Sequence, residues 1–112
     1  MLAYKLFGSG LNTLTVASIT DVATGLTATG SDQSGAFEVT TAKAAFSTVA
    51  ASTGAVLDDQ AAPGDTQMIY NGGANALKVY PPSGAQINAL GANNPMTLPV
   101  RTACEFYCLT TT

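Results

Sequence analysis

Apolar and polar positions along this chain alternate in short runs, and turn residues interrupt them every few positions. "AFEVTT" sets Phe37 and Val39 on one face and Glu38 and Thr40 on the other, which predicts a strand with one wet face. "TQMIYN" repeats the pattern, with Met68 and Tyr70 opposite to Ile69. "ALKVY" directs Leu77 and Val79 to one side, and Pro81-Pro82 must end it because proline cannot donate to a ladder. "AVLDD", "MTLPV" and "CEFYCLTT" predict further short strands, and Pro99 pushes the second of these toward a sheet edge. "LNTLTVASIT" is dense in β-branched residues and also predicts a strand. "DVATGLTATGSDQSG", with Gly25, Gly30 and Gly35, predicts turn and loop. Residues 42–52 fit two periods: Phe46, Val49, Ala50 and Thr53 lie at helical spacing, whereas Ser47-Thr48-Val49 suits a strand.

Asn71-Gly72-Gly73 lies between two of these runs. Asn-Gly is a strong hairpin signal because both residues tolerate positive φ. The expected architecture is therefore all-β: one domain over 1–112, a compact β-sandwich or barrel-like meander. Residues 1–10 form a possible N-terminal arm, 11–55 the N-terminal strands and loops, and 56–112 a C-terminal β-meander. No repeat of fixed period is evident.

Composition adds a second constraint. Of 112 residues 46% are apolar, but much of that is alanine, and large side chains such as Leu57, Ile69, Val79, Ile87, Leu98 and Phe106 are thinly spread. A chain of this size builds one modest core, and oligomerisation is a usual supplement. Only 10% of residues are charged, against about a quarter in ordinary soluble domains. Such a surface suits contact with other protein. A net charge of −3, with Lys5, Lys43, Lys78 and Arg101 scattered, argues against nucleic acid as a partner. "MLAYKLFGSG" is too short for a signal peptide core, and no run is long enough to span a membrane, so cytoplasmic synthesis and no membrane partner are expected.

Candidate chemistry is sparse. There is no histidine, which removes the commonest general base, the Ser–His and Cys–His nucleophile systems and the commonest metal ligand. Asp58, Asp59 and Asp65 are oxygen ligands of the type calcium takes, but they lack EF-hand spacing and read equally as solvated loop acids. Glu38 and Glu105 are the one pair that a glycosidase-like reading could use, and nothing in the sequence places them together. Cys104 and Cys108, four apart on a strand, sit about 13 Å apart on one face, too far to bridge. They read as buried thiols flanking Phe106, or as thiols meeting across a symmetry axis. "YNGGANALK" has neither phosphate-loop spacing. No enzyme activity, cofactor or metal is expected.

The string "NGGANALKVYPPSGAQINALGANNPMTLPV…CEFYC" resembles the C-terminal module of small structural proteins from the heads of tailed bacteriophages, over about Thr66 to Leu109. Related modules carry a tryptophan after the Cys strand, which this chain lacks. The resemblance implies a virion protein: a capsid decoration or cement protein, or a head fibre, commonly a homotrimer on the outside of the phage head. The implied partners are the major capsid protein and further copies of the chain. Leu2, Tyr4, Leu6 and Phe7 on the arm, and Tyr80, Pro81 and Pro82 as a rigid rim, are the candidate capsid or inter-subunit contacts. A fibre or tail-associated host-recognition module is the alternative.

Overall fold

The strands are short because turn residues punctuate the chain, and the longer ones alternate between enclosed and exposed side chains. The computed structural model describes residues 21–110, and these form eight strands and no helix. In chain order they are β1 (Val22–Thr27), β2 (Phe37–Glu38), β3 (Lys43–Thr48), β4 (Gly54–Val56), β5 (Thr66–Asn71), β6 (Leu77–Tyr80), β7 (Met96–Leu98) and β8 (Thr102–Tyr107).

Consecutive strands up to β6 do not pair with each other. They alternate between two four-stranded sheets, ordered β1-β3-β5-β8 and β2-β4-β6-β7. Within each sheet the first three strands are parallel and the last is antiparallel. The chain thus winds as three coils, β1-β2, β3-β4 and β5-β6, each giving one strand to each sheet. β7 and β8 close the last coil. This is a short two-faced β-coil, in which each turn rests on the one before.

The all-β expectation and the two-layer arrangement hold, but the meander does not. Asn71-Gly72-Gly73 makes no hairpin, because β5 and β6 lie in different sheets. None of the three has positive φ, so the hairpin turn that Asn-Gly favours is not formed. Two neighbours redirect the chain instead. Gly72 N–H donates to Phe46 O at 2.7 Å, and a Cβ on Gly73 would lie 2.6 Å from Val49 Cβ. Parallel pairing also explains why no fixed repeat is visible. Val22 stacks on Lys43 and Lys43 on Met68, while Phe37 stacks on Ala55 and Ala55 on Val79. The intervals are unequal because loops of different length leave the coil at its corners.

Two local expectations change. Val22–Thr27, expected as loop, is a strand, irregular where Gly25 takes φ 68° and the register shifts. The ambiguous 42–52 segment is a strand over Lys43–Thr48. The helical spacing of Phe46 and Val49 arises because Phe46 ends the buried face of a strand and Val49 turns inward at the corner.

The core lies between the sheets. Phe46 and Ile69 from one sheet meet Leu77, Val79, Ala55 and Leu98 from the other. Phe37 and Phe46 stack edge-to-face across the layers, with centroids 5.6 Å apart and planes at 89°, a geometry contributing about 0.5–1.5 kcal/mol beyond area burial. Ile87 is only half-buried and Leu90 is exposed, so this stretch adds little to the core. The segment holding them is a long excursion between β6 and β7. It is tied by its own asparagines: Gly84 N–H donates to Asn93 Oδ1, Asn93 N–H to Ala85 O, and Asn94 Nδ2 to Leu90 O.

Two amide side chains penetrate the core, one at each end of β5. Gln67 Nε2 donates to Val39 O and Thr41 O, and its Oε1 accepts from Asp58 N–H. Those groups belong to the corners after β2 and after β4. Asn71 Nδ2 donates to Asn75 O and Leu98 O, and its Oδ1 accepts from Gly73 N–H. Where the chain turns from one sheet to the other, its backbone groups leave the ladders and still need partners. Gln67 and Asn71 supply them.

Candidate interaction surfaces

The acidic loop was the first candidate for chemistry. Asp58 and Asp59, after β4, help line a shallow open cleft of about 240 Å³ together with Glu38 and Pro82, whereas Asp65, before β5, borders a second cleft with Asp58. Their oxygens serve their own loop. Asp58 Oδ1 accepts from Gln60 N–H at 2.9 Å, Asp59 Oδ1 from Gln60 Nε2 at 3.2 Å, and Asp65 Oδ2 from Ala62 N–H at 2.8 Å. Among the described residues no group of three or more His, Cys, Asp or Glu is arranged to hold a metal ion. Glu38 and Glu105 lie on different sheets, on β2 and β8.

Tyr80 and Pro81 are packed inside the fold, and Pro82 is half-buried. The expected rim of Tyr80, Pro81 and Pro82 is therefore not presented to a partner as a ridge. The cause is Gly54: a Cβ there would lie 2.7 Å from both Lys78 O and Tyr80 Cε2, so the ring lies in the space that glycine leaves. Pro81 O in turn accepts from Gln33 Nε2 at 2.7 Å. Leu2, Tyr4, Leu6 and Phe7 lie outside the described residues.

Cys104 on the inner face of β8 and Cys108 just beyond its end are half-buried thiols with no disulfide, and the half-buried Phe106 lies between them. The face assignment agrees with the alternation, although the thiols are less enclosed than expected.

The surface that sequence reasoning missed is the outer face of the β1-β3-β5-β8 sheet. Register aligns Val22, Lys43, Met68 and Glu105 in one row, and Ala45, Tyr70 and Ala103 in the next. Val22, Met68, Tyr70 and Tyr107 are exposed there, with Tyr107 at 60%. Leu109, just beyond β8, is 75% exposed. The signal was present in the alternation of "TQMIYN" and "CEFY". It could not be placed until the topology set β3, β5 and β8 side by side.

The same sheet has an open edge. β8 pairs with β5 through six consecutive residue pairs, Thr66↔Tyr107 to Asn71↔Thr102, and no described strand lies on its other side.

No family model, curated protein or solved structure matches the chain significantly.

Proposed function

We propose that the chain is a structural virion protein, a capsid decoration or cement protein that binds the outside of a tailed-phage head as a homotrimer and stabilises it. The observation that carries this reading is the outer face of the β1-β3-β5-β8 sheet, where Tyr70 and Tyr107 are exposed on either side of the row in which exposed Met68 lies between Lys43 and Glu105. Contiguous exposed apolar surface of this kind marks contact with other protein. The head-protein resemblance adds support, because Thr66 to Leu109 forms one contiguous unit, the third coil with its closing strands.

In this reading the mechanism is linkage. A protein that binds the mature shell and not its dissociated parts stabilises the shell by about 2.7 kcal/mol per site at a free concentration of 100 times Kd. Summed over the lattice, this opposes internal pressure. A three-fold ring closes a heterologous contact on itself. The arm over residues 1–10 is the proposed grip on shell or neighbouring subunit.

Co-sedimentation with undecorated mature heads and with immature shells of the cognate phage tests the reading. Saturable binding to mature heads, near one trimer per local three-fold, is expected. Deletion of residues 1–10 is expected to abolish it. Absence of binding to either shell overturns the reading in favour of a fibre or host-recognition module.

A further inference from the structure

Among the described residues the four sheet edges are not alike. β2 is two residues long. β7 is three residues long, between Pro95 and Pro99. β1 is broken by Gly25 and two register shifts. Short length, flanking proline and irregularity are the usual ways of keeping an edge from pairing. β8 has none of them: it is six residues long, regular, and free of proline and glycine.

Its hydrogen-bonding direction follows from the ladder. Cys108 N–H donates to Asp65 O at 2.8 Å. Antiparallel residues alternate between bonding toward one neighbour and toward the other. Phe106 and Cys104 therefore bond inward to β5, and the N–H and C=O groups of Ala103, Glu105 and Tyr107 point outward. The same three residues are exposed on the sheet's outer face.

Glu105 lies at the centre of that row. Antiparallel pairing of two β8 strands through all three outward residues would set Glu105 against Glu105 of a second copy, and like charges directly opposite are destabilising. Among the described residues the edge is thus open to strand addition, and its fullest pairing with its own copy is disfavoured. We propose that β8 takes up an extended segment of a different protein as a fifth strand, with a lysine or arginine of that segment opposite Glu105. Main-chain hydrogen bonds give the affinity of such an addition, and side-chain pairing gives its selectivity. This deepens the function proposed above, in which the added strand belongs to the shell protein.

The test uses the full chain and labelled peptides of alternating Val and Thr with a central Lys or a central Glu, read by fluorescence anisotropy. Saturable binding of the Lys peptide is expected, about tenfold tighter than the Glu peptide. Glu105→Lys is expected to invert the preference and Glu105→Thr to abolish it. N-methylation of the peptide amides that face β8 is expected to abolish binding. A Lys peptide that fails to bind, a preference unchanged in Glu105→Lys, or equal binding of the N-methylated peptide overturns the proposal. Co-sedimentation separates it from the broader reading. Heads that bind wild type and Glu105→Lys equally leave the decoration role standing and remove the β8 edge from it. Peptide binding without head binding does the reverse.

Discussion

Gln67 and Asn71 stand four residues apart on the same face of β5, and each makes three hydrogen bonds to backbone. Their environments differ. Asn71 is 0% exposed and ties its own turn to the closing strand β7. Gln67 is 9% exposed and ties the corners of the two preceding coils, one of which carries the acidic loop. The difference shows where this fold depends on buried polar groups. At the Asn71 corner water is excluded, so lost hydrogen bonds leave backbone groups unsatisfied. At the Gln67 corner some of them can be rehydrated.

The largest expected effect follows from Asn71. Asn71→Leu keeps the branched shape but adds bulk at a fully buried site and strands Gly73 N–H and Leu98 O, and should cost about 3 kcal/mol, measured by urea denaturation. Gln67→Met should cost about 1–2 kcal/mol in the same assay. If Gln67→Met proves the more damaging, the ordering by water access is wrong. The double variant sharpens the comparison. The two side chains share no partner and leave the strand about 13 Å apart, so their costs should add to within about 0.5 kcal/mol. A larger coupling would mean that the two corners act as one unit. Asn75→Ala should cost less than either, because Asn75 is exposed and its single bond to Val49 O, at 2.9 Å, is partly open to water.

The smallest effect concerns pH. Asp32 is fully exposed, and its carboxyl is held below its ordinary value, first by Gly35 N–H and then by the Ser34 hydroxyl. A depressed carboxylate stabilises the fold above its unfolded pKa, and that contribution fades as pH falls through the folded one. Acid unfolding of Asp32→Asn should therefore differ from wild type above the ordinary carboxylate range and converge with it below. No convergence would show that the loop from Thr29 to Gly35 is held by other contacts.

Individual strands were legible where alternation was strong. β5 appears at the boundaries its pattern predicts, and Ile69, Leu77 and Val79 are buried as expected. β7 lies at an edge, as Pro99 requires. Gln67 and Asn71 were not legible as core residues, since in "TQMIYN" an inward amide looks the same as an outward one. Tyr80 and Pro81 were read as rim because nothing local shows that Gly54, far back in the chain, leaves room for them.

Local sequence thus determined that the chain forms short strands and, where alternation is strong as in β5, where such a strand lies. Those are properties of side-chain period and turn chemistry, which act over a few residues. Which strands pair, in what direction and in which sheet was decided only in the tertiary structure. A parallel ladder joins residues one coil apart, and Asn-Gly reports a bend without reporting its partner. The outer sheet face and the open β8 edge arise from that stacking, because no single strand contains either.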